Sequence, residues 1–247
     1  MLIQCDASAL EIRVAAFLSQ DKTLIQEIRD GVDLHTDNQQ RFGLPSRLIA
    51  KVLNFRILYG GNEFSFANDP EFIPISKSKE YWKGVIDEYY KKYSGIAKWH
   101  QNLIREAVTT NKVISPTGRE YRFEKYDGKI RDTQVKNYTV QGTGADIMAL
   151  ARVSFYNRLK KLNFQNCLLV NTVHDSIVVD CDEKTTYVDK VIMTMHEVFD
   201  DLPANFKKMF GVEFNVPMAC EVQTGYNWED MTVVDAPKKY DIIVFRN

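Results

Sequence analysis

A chain of 247 residues is long enough to bury a substantial core, as one large domain or two small ones. Hydrophobic residues at 45% and charged residues at 26% are ordinary for a globular protein, and no apolar run approaches the roughly 18 residues of a membrane span. A net charge of −1 argues against a protein that coats nucleic acid by bulk charge.

The distribution of charge says more. Residues 1–76 carry 7 basic and 10 acidic side chains, residues 77–136 carry 14 and 8, and residues 182–247 carry 7 and 12. A basic middle between acidic ends supplies a local phosphate-binding face or, more simply, a solvated lysine-rich surface. The opening Met1–Asp6 stretch has neither a basic region nor a long apolar run, so no signal peptide is expected. Cys5, Cys167, Cys181 and Cys220 are scattered without a CxxC pair and read as reduced thiols of a cytoplasmic protein.

In chain order, Leu2–Cys5 reads as a short strand. Ser8 supplies an N-cap, and Leu10, Val14, Phe17 and Leu18 recur at helical spacing to about Gln20. A second helix is predicted over Thr23–Arg29, stopped by Gly31. Asp33-Leu34-His35 leads into a polar stretch closed by Gly43-Leu44-Pro45. Ser46 caps a helix over Arg47–Tyr59, ended by Gly60-Gly61, and residues 62–78 read as irregular. Two amphipathic helices, Tyr81–Tyr93 and Ile96–Thr110, flank Ser94-Gly95. Val113-Ile114 and Glu120–Phe123 form a predicted hairpin about Pro116-Thr117-Gly118. Thr133–Lys161 is a long helical stretch, with an interruption expected near Gly142 and Gly144. Cys167–Val173 and Ile177–Cys181 make a second hairpin with His174-Asp175 at its tip. A helix over Thr185–Asp200 follows, then strands at Val216–Val222 and Asp241–Phe245. Strands at both ends with helices between give an α+β class.

Three constellations carry chemistry. Asp6 ends the first strand, with Glu11 on the next helix; a carboxylate there suits a divalent cation if another converges on it, and by itself it is simply a turn residue. In the helix 47–59, Arg47, Lys51, Phe55 and Tyr59 recur every four residues as one stripe, while Leu48, Ile49, Val52, Leu53, Ile57 and Leu58 should anchor the other faces. Two cations followed by two rings match the phosphates and the nucleoside of a nucleoside triphosphate, although such patterns are also common on ordinary helices. His174-Asp175 is the third. If Asp6 and Asp175 meet across the 168 residues that separate them, they form the cradle of a two-metal phosphoryl-transfer site.

Taken in order, Asp6-Ala-Ser-Ala-Leu-Glu11-Ile-Arg13, Arg47-x3-Lys51-x3-Phe55-x3-Tyr59-Gly60 and Val173-His174-Asp175 resemble motifs A, B and C of family A DNA polymerases. Gln141-Gly142-Thr143-Gly144-Ala145-Asp146 resembles the family's QGT-x-AD helix, and Asp33-Leu34-His35-Thr36 its D-[IL]-H-T element. Gly118-Arg119 and Glu221-Val222…Gly225-x-Asn227-Trp228 also have family counterparts. The short spacing from His35 to Arg47 is similar to that of phage-type members.

The resemblance implies an antiparallel palm sheet with helices, carrying an α-helical fingers subdomain. The palm would occupy 1–22 and 136–230, the fingers 23–135 with the nucleotide-binding helix 46–60, and 231–247 would be a C-terminal extension. Asp6, Asp175 and the backbone carbonyl of Ala7 would bind two Mg²⁺ ions, for which Mn²⁺ is a substitute. His35, Arg47 and Lys51 would hold the triphosphate of a dNTP, with Lys51 also a candidate general acid. Phe55 would pack on the sugar and favour rejection of dideoxynucleotides. Glu11 would exclude a 2′-hydroxyl, and Tyr59 would stack near the template base. Asn137 and Gln141 would reach minor-groove edges of primer-template DNA, and His174 would lie near the primer terminus.

Four positions depart from the family pattern. Ala7 stands where an aromatic is usual, Arg56 where Gly follows the Phe, Ser176 in place of the Glu of HDE, and Thr133 where Arg is common, with Arg131 close by. Arg56 is a large cation expected beside the nucleotide pocket. Arg56 and Ser176 keep open a non-catalytic relative that only binds primer-template DNA, and the two aspartates a metal-dependent nuclease. Complete family members place a thumb, the first palm strands and usually a 3′–5′ exonuclease before motif A. The expectation is therefore the C-terminal half of a split polymerase, completed by a second polypeptide, because a palm sheet that starts at its metal-binding strand has an unpaired edge and lacks part of its core. Ile242–Phe245 is a candidate strand or anchor for that partner, or equally a segment that packs on its own domain, and no membrane partner is expected.

Overall fold

The structure is a computed structural model that describes residues 1–163 and 166–236. It divides into two compact units, one of residues 1–10 and 144 onward, the other of residues 11–143. The predicted strand Asp241–Phe245 lies outside the described residues.

Alternation builds the first unit. In Leu2–Ala7 (β1) every second residue, Ile3, Cys5 and Ala7, is buried, and Leu2, Gln4 and Asp6 take the other face. β1 is not an edge strand. It pairs antiparallel with Ser176–Cys181 (β5) on one side and Cys220–Gly225 (β6) on the other. Cys167–Val173 (β4) and Thr232–Val234 (β7) complete the order β4-β5-β1-β6-β7. The late strand β6 returns to cover the outer side of β1, and among the described residues the sheet edges fall at β4 and β7. Helix Thr185–Asp200 (α9) lays Val191, Met195, Val198 and Phe199 against the sheet, followed by Leu202–Phe210 (α10). Cys167 and Cys181 are register partners across β4 and β5 and are joined by a disulfide, which corrects the reading of four free thiols. Their spacing of 14 residues hid a pairing that the hairpin register creates. Cys5 and Cys220 are free.

The second unit is helical: Leu10–Ser19 (α1), Lys22–Arg29 (α2), Leu34–Phe42 (α3), Arg47–Leu58 (α4), Glu63–Ala67 (α5), Lys79–Lys92 (α6) and Ser94–Thr110 (α7), then the hairpin Lys112–Ile114 (β2) and Glu120–Arg122 (β3). Asp132–Leu162 (α8) begins in it and continues into the first unit. Asp21 shows how tightly its turns are made. Its buried carboxylate caps α2 by accepting from Leu24 N (2.9 Å) and also accepts from Gly95 N (2.6 Å). A Cβ on Gly95 would sit 2.6 Å from Asp21 Cα, so this approach requires glycine. Phe66, Phe72 and Trp82 form a fully buried aromatic cluster with centroids 4.9–5.4 Å apart. Each such ring pair adds about 0.5–1.5 kcal/mol beyond area burial.

Two expectations change here. α8 runs unbroken through Gly142 and Gly144. Gly142 makes room for the Tyr121 hydroxyl, which a Cβ would overlap; it permits a contact and does not break the helix. Leu48, expected as an anchor, is 67% exposed, and α4 is held instead by Ala50, Leu53, Ile57 and Leu58. Among the described residues no helix is long and apolar enough to cross a membrane.

His100 on α7 is only 4% exposed, and its Nδ1 lies 3.2 Å from the Tyr90 hydroxyl. Burial, with Lys136 adding to it, pushes the imidazole down to about 3. As pH falls below about 6.5 the unfolded chain takes up a proton that folded His100 refuses, so stability is full above that pH and falls toward pH 3. Chemical denaturation from pH 7 to 4 should show a His100→Gln variant losing less stability than wild type, by about 1.4 kcal/mol per pH unit. Parallel curves for the two proteins would contradict this assignment.

Candidate active site

The first unit brings the strand end at Asp6 next to the turn that holds Asp175. Asp6 lies near the C-terminal end of β1, on the face opposite Cys5 and Ala7. Its register partners are Ser176 on β5 and Glu221 on β6. Asp175 sits in the two-residue turn between β4 and β5, which His174 enters with φ +51°. The turn is tied to β1 itself: Ala7 N donates to the Asp175 carbonyl (2.9 Å). Ser176 is buried, and its hydroxyl donates to Val173 O (3.0 Å), closing the turn. The residue that replaces the family's Glu is therefore a structural element of the hairpin. Glu221 flanks Asp6 from the other side, a placement that only strand register reveals. His174 and Ser176 line a cavity of about 280 Å³ with Met148, Arg152 and Thr172.

Among the described residues no three or more His, Cys, Asp or Glu side chains are arranged to hold a metal ion by themselves. A pair of aspartates beside a main-chain carbonyl nevertheless fits Mg²⁺. That ion prefers hard oxygen donors and typically uses one or two carboxylates, completing its shell with water and substrate phosphates.

The second unit gathers the cations and rings. Asp33 caps α3 by accepting from the backbone N–H groups of His35 and Thr36 (3.1 and 3.2 Å), and Arg47 Nε donates to its other oxygen (2.7 Å). Arg47 thereby holds the Asp33 carboxyl well below the usual carboxylate range. The same pair joins the start of α4 to the start of α3, where His35 sits. Burial lowers the His35 pKa, with Arg47 and Lys51 adding and Asp33 opposing, so its imidazole is neutral near pH 7. The His35 and Phe55 rings are 6.1 Å apart, and Phe55 and Tyr59 stack at 6.5 Å. Lys51 is exposed on the same stripe. Burial, with the Glu11 carboxylate adding to it, pushes the Tyr59 phenol up, and its buried hydroxyl has no hydrogen-bond partner among the described residues. Tyr59 and Asn137 line a cavity of about 410 Å³ with Arg131 and Tyr126, whose ring lies 4.5 Å below the Arg131 guanidinium.

Arg56 does not share the face of the Arg47–Tyr59 stripe. It pairs with Asp69, approaches Glu71 (3.6 Å) and lies 5.1 Å over the Phe72 ring. One step along the helix from Phe55 turns its side chain toward the loop after α5, so the expected cation in the pocket is corrected.

Comparison with known proteins gives one answer. The model of DNA polymerase family A matches residues 1–230. The chain is 27% identical over 245 residues to DNA polymerase I of Lactococcus lactis subsp. lactis, covering 92% of this chain and 26% of that protein. It is 28% identical to DNA polymerase I of Caldicellulosiruptor bescii over 246 residues (92% and 26%), and 26% identical to the thermostable DNA polymerase I of Thermus aquaticus over 242 residues (92% and 27%). The chain thus spans about a quarter of the length of these relatives. Among solved structures, the POL domain of Pol1 from M. smegmatis, in complex with DNA primer-template and dNTP, superposes with a TM-score of 0.78 at 21% identity, covering 92% of this chain and 40% of that one. That likeness concerns the fold. With a family model that covers nearly the whole described sequence, the chain belongs to DNA polymerase family A.

Proposed function

We propose that this chain carries the catalytic part of a template-directed DNA polymerase. The first unit acts as the palm and the second as the fingers. The observation that carries the reading is the tether from Ala7 N to Asp175 O, which keeps Asp6 and Asp175 adjacent although they are far apart in sequence.

The reaction joins the primer 3′-oxygen, whose hydroxyl proton passes to solvent, to the α-phosphorus of a dNTP. The bond from that phosphorus to the bridging oxygen breaks, and pyrophosphate leaves. Two Mg²⁺ ions, held by Asp6, Asp175 and the Ala7 carbonyl, supply Lewis-acid stabilisation of the attacking and leaving oxygens when bound. The chain's own residues do the rest. Arg47 and Lys51 offer charge-assisted contacts to the triphosphate, and Arg47 exchanges its Asp33 partner for phosphate on binding. Lys51 donates a proton to the departing pyrophosphate. His35 donates to a phosphate oxygen, Phe55 packs on the sugar and Glu11 occupies the space a 2′-hydroxyl would need. Tyr59 stacks near the templating base, Asn137 and Gln141 test minor-groove geometry, and His174 steadies the primer end.

Pocket chemistry is tested by nucleotide selection. Phe55→Tyr should raise incorporation of dideoxynucleotides relative to dNTPs by at least about tenfold, and Glu11→Ala should relax exclusion of ribonucleotides to a similar degree. Unchanged selection in both variants would place the pocket elsewhere.

A further inference from the structure

Behind His35 the second unit buries a continuous polar chain. Lys92 (side chain 4% exposed) ion-pairs with Glu27 (3.0 Å) and Asp37 (2.6 Å), and its Nζ donates to Asn38 Oδ1 (3.0 Å). Asn38 (1% exposed) donates from Nδ2 to Asn54 Oδ1 (3.1 Å) and to the Tyr93 hydroxyl (3.4 Å), which in turn donates to Glu27 (2.9 Å). Asn54 (2% exposed) places its Nδ2 3.1 Å from His35 Nδ1.

The direction of every bond follows from the first one. A lysine ammonium can only donate, so the Asn38 atom facing it must be the carbonyl oxygen. Asn38 then presents its amide nitrogen to Asn54, and the Asn54 atom receiving it must be oxygen. Asn54 is left with its amide nitrogen toward His35. Two N–H groups cannot face each other in a dry interior at acceptable cost, so His35 Nδ1 must carry the lone pair.

We infer that Lys92, acting through Asn38 and Asn54, fixes His35 as the neutral tautomer with its proton on Nε2, the nitrogen outside this chain of bonds. Asn38, Asn54 and Lys92 are positioning residues: they touch no substrate but decide which nitrogen of His35 can donate. A phosphate oxygen accepts hydrogen bonds and gives none, so only this tautomer makes a neutral His35 a useful donor from Nε2. A reversed tautomer would present a lone pair to the phosphate. The role of that proton rests on the nucleotide-binding reading above; the tautomer itself does not.

Nitrogen NMR of ¹⁵N-histidine-labelled protein reads the tautomer directly, and with four histidines in the chain a His35→Gln spectrum assigns the pair of resonances. At neutral pH wild type should show an unprotonated Nδ1 and a protonated Nε2. A protonated Nδ1 in wild type overturns the relay, whatever the nucleotide does. Asn54→Asp replaces the donor by an acceptor and should put a proton on Nδ1, whereas Lys92→Arg keeps the obligate donor and should retain the wild-type pattern. In primer extension, Asn54→Asp should raise the KM for dNTP by about tenfold with kcat little changed, and Lys92→Arg should leave KM at the wild-type value. A switched tautomer with unchanged KM would remove His35 from the phosphate site while leaving the relay standing. An unswitched tautomer in Asn54→Asp would overturn the relay.

Discussion

Asp6→Asn and Asp175→Asn are each expected to abolish Mg²⁺-dependent primer extension, lowering kcat by at least about 10³-fold, or ~4 kcal/mol of transition-state stabilisation. Each substitution is nearly isosteric and removes one negative charge. The β1 pairing to β5 and β6 and the Ala7 N to Asp175 O bond involve backbone only, so the hairpin and sheet should persist. Primer-template affinity should therefore hold within a fewfold while chemistry is lost. The double variant should be little worse than either single one, because the aspartates act as a unit. Extension at wild-type rate in either variant would separate these carboxylates from the chemistry.

The next largest effect is expected at Lys51. Lys51→Met should reduce kcat by about 10²–10³-fold, the range for loss of a positioned general acid, with a smaller rise in KM. Lys51 is exposed on α4, whose buried contacts are made by Ala50, Leu53, Ile57 and Leu58. The fold should be unaffected and the melting temperature unchanged. Arg47 one turn earlier should behave differently, because it is paired with Asp33 at 2.7 Å. Removing it weakens ground-state phosphate binding and also unties α4 from the α3 cap. Steady-state kinetics separates the two: a kcat effect for Lys51 and a KM effect for Arg47. A Lys51 variant with intact kcat would exclude the general-acid role.

Much of this site was legible because its residues obey local rules. The four-residue stripe from Arg47 to Tyr59 needs only helical periodicity, and the His174-Asp175 tip needs only two flanking apolar runs. The α+β class followed from the same runs. What stayed hidden depends on partners far along the chain. α3 was read as a polar stretch because its buried residues, His35, Asn38 and Phe42, include only one hydrocarbon side chain. Asn38 and His35 are buried because they hydrogen-bond to α4 residue Asn54, and no apolar pattern encodes that. The central position of β1 and the placement of Glu221 beside Asp6 come from a strand more than 200 residues later in the chain. β6 itself begins at Cys220, after the predicted start at Val216, because residues 216–219 approach the sheet without laddering to it. Gly142 was read as a break because glycine usually weakens helices; here the Tyr121 hydroxyl occupies the space of its missing Cβ. The unassigned α10 carried a usable signal, Pro203 in its first turn and Leu202, Phe206 and Phe210 at four-residue intervals.

The central claim is that this chain performs templated nucleotidyl transfer at its aspartate pair. Single-nucleotide addition tests it most directly: the protein, with any polypeptide that copurifies with it, is given a primer-template, Mg²⁺ and each dNTP in turn. The predicted result is extension by one residue only with the complementary dNTP, one pyrophosphate released per addition, and no extension by the Asp175→Asn protein. Primer shortening in place of extension, or addition that ignores the template, would contradict it.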